Sequence, residues 1–151
     1  NFAYDPINYV SLCRLRIMDL FLDILDADQE AKDSKKSRNQ LVELALGGIC
    51  NCIPDPQLQQ QFIDGEGLEI VEPYILETLE KPTTSELNVT VSALTIAYFL
   101  LDSTVFAHIT SDKFMTKMQT LQDHSSTQIA NTANAFITRY QELMSTSVET
   151  L

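Results

Sequence analysis

The chain has 151 residues, of which 44% are hydrophobic and 8% aromatic. This is enough for one packed unit, too short for two ordinary domains and too apolar for a disordered chain. The formal net charge of −11, from 21 acidic and 10 basic residues, repels a polyanion, so direct nucleic-acid binding is not expected. The longest uncharged apolar stretch, 89–101, is shorter than the ~20 residues that cross a bilayer, so no membrane association is expected either.

A short phrase occurs twice in the chain. Asn1-Phe-Ala-Tyr-Asp-Pro6 opens it, and Asn51-Cys-Ile-Pro-Asp-Pro56 follows 50 residues later. In each copy an Asn closes an apolar helix and an Asp-Pro pair stops it. Internal repetition on this scale is typical of helical repeat arrays. The opening residues lack the character of a secretory leader, and the start in mid-phrase indicates residues upstream.

Apolar periodicity predicts a series of helices. The first covers 14–27 and is apolar on two faces, as expected of a helix between neighbours. A charged loop at 28–38 follows, which we expect to be flexible. The next helix begins at Asn39 and is ended by Pro54 and Pro56. Further helices are predicted at 57–64, 68–79 and 87–101, in a weaker pair over 105–121, and at 127–144.

Three local features refine these helices. Gly47 and Gly48 each cost a helix about 1 kcal/mol relative to Ala, which indicates a close helix approach or a surface that must stay low. Thr83 followed by Glu86 has the spacing of a capping box. Asn88-Val-Thr90 matches a glycosylation acceptor, but its place beside a helix start favours a capping role. Five acidic residues are predicted to mark a solvated helix face: Glu66, Glu69, Glu72, Glu77 and Glu80.

The long helices align on three alanines, Ala45, Ala93 and Ala133, which are 48 and 40 residues apart. These spacings straddle the armadillo and HEAT period of about 40–47 residues. We therefore predict an all-α fold, a right-handed armadillo-repeat solenoid. It forms a single domain over 1–151, with about three repeats and an N-terminal remnant.

The same alignment places Asn1, Asn51, Phe99 and Arg139 at the closing position of successive helices. In an armadillo solenoid this column lines the concave face, where Asn amides can bond the backbone of an extended partner. The amide of Asn51 could equally satisfy the free carbonyls near the helix end or the entry turn of the next unit. The candidate protein-binding residues are Asn1, Tyr4, Gly47, Asn51, Thr95, Phe99 and Arg139.

No catalytic, cofactor or metal site is predicted. His108 and His124 stand without a nucleophile motif or a phosphate-binding glycine loop. The three cysteines are an odd number, which fits a reducing compartment, and Cys50 and Cys52 point in different directions from one helix. Packing is therefore favoured over a disulfide bond or a zinc site.

Three segments carry a family resemblance: the opening string through Tyr9, Ile17-Met-Asp-Leu-Phe-Leu-Asp23, and 41–55 with its Gly-Gly-Ile-Cys-Asn core. Together they resemble the family of armadillo repeat-containing protein 7. The resemblance is close over roughly the first half of the chain, apart from the loop at 28–38. Beyond Leu79 it is one of pattern alone.

The resemblance implies a small nuclear protein that works in the minor (U12-type) spliceosome. Its implied partner is RNA-binding motif protein 48, an RNA-recognition-motif protein, and the pair is associated with the capped 5′ end of a small nuclear RNA. The chain would then be a non-catalytic scaffold that reaches RNA only indirectly, through this complex. The alternative is a generic armadillo adaptor that binds an extended peptide along Asn1 and Asn51.

Overall fold

The computed structural model describes residues 2–30 and 39–149, and these are all-α, as the sequence predicts. Within those ranges are nine α-helices, two 3-10 turns at Phe2–Tyr4 and Pro6–Asn8, and no strand. The helices are α1 (Tyr9–Arg14), α2 (Ile17–Glu30), α3 (Asn39–Cys52), α4 (Pro56–Asp64), α5 (Gly67–Leu76), α6 (Thr84–Leu100), α7 (Phe106–Ile109), α8 (Asp112–Leu121) and α9 (Thr127–Glu149).

Both ends of the helix predicted over 14–27 differ from the prediction. The helix predicted over 14–27 begins at Ile17, because Arg16 has a φ of 50° and separates α1 from α2. It continues to Glu30, so the first three residues of the predicted loop 28–38 are helical, and 31–38 lies outside the described residues. A hydrogen bond from α5 stabilises the extension of α2, since the Tyr74 hydroxyl donates to Asp28 Oδ2 at 3.0 Å.

The aspartates of the two copies of the repeated phrase make the same contact with the backbone. The carboxylate of Asp5 accepts from the N–H two residues later at 3.1 Å, and Asp55 does so at 3.0 Å. Ser103 repeats this contact at 3.4 Å, 48 residues after Asp55. Two non-glycine residues with positive φ, Arg16 at 50° and Glu66 at 55°, are also 50 residues apart, each between a short helix and a longer one.

The helices form two rows. The long helices α3, α6 and α9 pack side by side with α6 in the middle, and α2, α5 and α8 pack against them in the same order. Ala45, Ala93 and Ala133, which aligned the long helices, are 1%, 0% and 0% exposed. Small side chains at these positions let neighbouring helices approach closely. Each large buried side chain, such as Phe62, adds about 1.5–3 kcal/mol through removal of apolar surface from water.

The two adjacent glycines of α3 have different surroundings. A Cβ added to Gly48 would stand 2.4 Å from Cζ of Phe21 on α2, so a larger residue here would force the Phe21 ring to shift. A Cβ added to Gly47 would have no neighbour within 4 Å. Gly48 therefore fits the interpretation of a close helix approach, whereas the interpretation of a surface that must stay low stays a prediction at Gly47.

The capping box at the start of α6 is confirmed. Glu86 N donates to the Thr83 hydroxyl at 3.3 Å, and Thr83 N donates to Glu86 Oε2 at 2.8 Å. Because Thr83 supplies the cap, the capping role favoured for Asn88 is wrong. Asn88 lies inside α6, where it contacts α3 instead.

The five acidic residues on and around α5 are not all solvated. The Glu72 side chain is 16% exposed and lies 3.2 Å from both His108 Nε2 and Lys113 Nζ. It therefore joins α5 to α7 and α8, and the prediction of a solvated face is wrong at this residue. The other four members are exposed. His124 likewise joins two segments, through Nε2 at 2.9 Å from the Leu79 carbonyl.

No helix in the described part of the chain is both long and apolar enough to cross a membrane. Over the same residues, no group of three His, Cys, Asp or Glu side chains could hold a metal ion.

Candidate protein-binding groove

An open groove of about 540 Å³ crosses the three long helices. One of its lining residues is charged, one is aliphatic, and most of the others carry an amide or a hydroxyl. They are Glu43 and Gly47 of α3, Asn88, Val91 and Ser92 of α6, and Gln128, Asn131 and Thr132 of α9. We call this set the three-helix groove.

The groove is lined by equivalent positions of successive helices. A shift of 40 residues takes Asn88, Val91 and Ser92 onto Gln128, Asn131 and Thr132, which is the spacing of Ala93 and Ala133. A shift of 48 residues, the spacing of Ala45 and Ala93, takes Glu43 onto Val91 and Gly47 onto Thr95. An extended chain that lies across the groove therefore meets three equivalent positions on α6 and α9, and on α3 it meets Glu43 at one of these positions.

Among the described residues, Glu43 carries the only charge in the groove lining. Its Oε1 accepts from Asn88 Nδ2 at 2.6 Å and its Oε2 accepts from the Ser85 hydroxyl at 2.8 Å, both from α6. Both donors are neutral, and none of the ion pairs among the described residues includes Glu43. The half-buried carboxylate is thus held in place, and no cation within 2–30 and 39–149 forms an ion pair with it.

Gly47 and Thr95 lie where the sequence places them, on α3 and α6. Gly47 lines the groove, and its lack of a side chain keeps that wall low. Thr95 is half-buried and donates to the Val91 carbonyl at 2.8 Å. It also bonds the Cys50 side chain, which lowers the pKa of that thiol in part, but burial is the larger effect and raises it. Cys50 is therefore a neutral packing group beside Thr95.

Asn51 and Phe99 lie at the C-terminal ends of α3 and α6, where both are half-buried. The Tyr9 hydroxyl donates to the Asn51 carbonyl at 2.8 Å, and Gln59 Nε2 donates to the Phe99 carbonyl at 3.2 Å. Tyr9 and Gln59 are again 50 residues apart, so the same contact recurs. Burial raises the pKa of Tyr9, which keeps its hydroxyl a neutral donor.

The amide of Asn51 has no hydrogen-bond partner elsewhere in ranges 2–30 and 39–149. The free-carbonyl role considered for it is performed by Tyr9 at the Asn51 carbonyl itself. The side chains of Gln128 and Asn131 likewise make no hydrogen bond to described residues. Each such amide offers both a donor and an acceptor to the backbone of a ligand.

The remaining predicted residues lie apart from this lining. Arg139 is half-buried, with Nη2 at 3.2 Å from Asp102 Oδ1 and Nη1 at 3.2 Å from Glu142 Oε2. Tyr4 is 76% exposed in the first 3-10 turn. The 50-residue repeat aligns it with Pro54, which follows the end of α3, so Tyr4 does not belong to the column of residues that close the helices. Asn1 lies outside the described residues.

Sequence reasoning missed most of the groove lining. It followed the closing residue of each helix and overlooked Glu43, Asn88, Gln128 and Asn131. The alanine alignment contained the missing signal, since Asn88 and Gln128 each precede an aligned alanine by five residues, and Glu43 and Asn131 by two.

No family model matches the chain. Over 50 residues, the chain is 44% identical to Armadillo repeat-containing protein 7 of Mus musculus. The matched segment is 33% of this chain and spans 21% of the length of the mouse protein, so the similarity is moderate and partial. The resemblance read from the residues is confirmed to that extent.

Proposed function

We propose that this chain is a non-catalytic armadillo-type solenoid that binds a protein partner in the three-helix groove. The observation that carries the proposal is the groove itself, an open surface lined by amides and hydroxyls at equivalent positions of α6 and α9 and by Glu43 and Gly47 of α3. Amides of this kind pair with the backbone of an extended segment. The ordered packing of α2, α5 and α8 on the long helices supports the solenoid, as does the partial similarity to the mouse armadillo protein.

The proposed setting is the minor spliceosome in the nucleus. The resemblance to armadillo repeat-containing protein 7 supports an RNA-recognition-motif partner similar to RNA-binding motif protein 48. The net charge of −11 supports a division of labour in which the basic partner meets RNA phosphate and the acidic scaffold holds the partner. RNA is then bound through the complex and not by this chain alone.

The test is co-purification from nuclear extract with three tagged proteins: the wild type, Gly47→Leu, and Thr116→Leu as a control on the exposed face of α8. Leu at position 47 has open space for its Cβ and a higher helix propensity than Gly, so the variant should fold while its side chain fills the groove. We expect wild type and Thr116→Leu to retain an RNA-recognition-motif protein and a minor-spliceosomal RNA through a high-salt wash. Gly47→Leu should lose both.

Retention of the same partner by Gly47→Leu would contradict the groove as the binding surface. Recovery of assorted proteins that share an extended motif, without RNA, would favour the generic peptide-binding adaptor instead.

A further inference from the structure

We propose that the three-helix groove selects a partner segment with one lysine or arginine at a defined position, and that Glu43 is the residue that binds this cation. The inference rests on the proposed function and names the chemistry of its partner.

Glu43 is prepared for a cation by its contacts. Asn88 and Ser85 each donate to one of its carboxylate oxygens, which fixes the carboxylate without neutralising it. Each oxygen keeps a further lone pair for an incoming N–H donor. Because the side chain is already held, little conformational entropy remains to be lost on binding. A ligand that covers the half-buried carboxylate also displaces water, which strengthens the attraction.

The charges along the groove favour the same ligand. Arg139, further along α9, is matched by carboxylates of Asp102 and Glu142, so its positive charge is offset. No unpaired cation lines the groove within the described residues. The net charge of −11 attracts a basic segment over a longer range and repels an acidic one.

The equivalent positions on the neighbouring helices limit the number of cations. Glu43 corresponds to Val91 on α6 and to Asn131 on α9, neither of which is charged. A segment across the three helices therefore meets one carboxylate, one aliphatic side chain and one amide in turn. This pattern fits a single Lys or Arg followed by uncharged residues, and it does not fit a polybasic run.

The experiment uses the immobilised 151-residue protein and a library of randomised unstructured peptides, followed by fluorescence anisotropy on the peptides retained. Wild type should enrich Lys or Arg at one position. Glu43→Gln should weaken binding of the Lys peptide roughly tenfold and leave the matching norleucine peptide unchanged. Gln128→Glu leaves the contacts of Glu43 in place and adds a second carboxylate to the groove, so it should strengthen binding of the Lys peptide. Circular dichroism checks that both variants fold.

Three results would overturn the inference. Enrichment of uncharged peptides whose binding is lost in Gly47→Leu would leave the groove function standing and remove the role of Glu43. An unchanged affinity of the Lys peptide for both Glu43→Gln and Gln128→Glu would do the same. Retention of no peptide by a chain that still co-purifies a folded partner would show that the groove does not take an extended basic segment.

Discussion

Single polar side chains hold the helix ends of this protein. At the start of α6, hydrogen bonds from the Thr83 backbone and hydroxyl lower the pKa of the Glu86 carboxyl below its ordinary value of 4.5. Because the folded state has the lower pKa, this carboxylate stabilises the fold above the ordinary value, and the stabilisation is lost as pH falls through the folded pKa. The stabilisation that the Glu86 carboxylate gives to the helix cap therefore changes with pH only in the acidic range.

We expect Thr83→Ala to lower the free energy of unfolding by about 1 kcal/mol at neutral pH. Glu86→Ala should also lower the free energy of unfolding. The difference in this free energy between the variant and wild type should narrow as pH falls below 4.5, because the wild-type carboxylate is then progressively protonated. Urea unfolding at a series of pH values measures both effects, with Glu80→Ala as the exposed-carboxylate control. A difference for Glu86→Ala that stays constant across the series would contradict this account.

At the scale of one helix, α3 combines packing and access through adjacent glycines. Gly48 faces the Phe21 ring of α2, whereas Gly47 opens to the groove. Gly48 gives the Phe21 ring its space, and Gly47 costs helix stability without such a packing contact.

Substituting the two glycines separately tests this division. Gly47→Ala should raise the free energy of unfolding by up to about 1 kcal/mol, since it improves helix propensity and meets no neighbouring atom. Gly48→Ala should be destabilising, because its Cβ would overlap the Phe21 ring. Thermal or urea unfolding gives the sign of each change. Equal effects at both positions would mean that α3 does not pack on α2 as described.

Local sequence predicted the long helices better than their ends. The apolar periodicity of α6 and α9 and the capping box at Thr83 depend on neighbouring residues, so the sequence contains them. The extension of α2 to Glu30 depends on hydrogen bonds from α5, including one that Tyr74 donates to Asp28. The break at Arg16 was hidden as well, because a positive φ at a non-glycine residue has no distinct local pattern.

At the scale of the molecule, the sequence predicted the repeat but did not predict most of the groove lining. The phrase repeated after 50 residues and the alanine alignment match the backbone geometry at Asp5 and Asp55 and the burial of Ala45, Ala93 and Ala133. Of the residues predicted for binding, Gly47 lines the groove, and Thr95 and Asn51 lie further along α6 and α3. Glu43 and Asn88 were missed because their contact joins two helices that only the packed structure brings together.

The central claim is that a protein partner occupies the three-helix groove. The most direct test places a photo-crosslinking amino acid at Asn131 in the groove and, separately, at Thr116 on the exposed face of α8. After irradiation in nuclear extract, mass spectrometry identifies what is attached at each position. We expect a protein crosslink from position 131 to an extended segment containing Lys or Arg, and none from position 116. The same partner attached from position 116 and not from 131 would contradict the account.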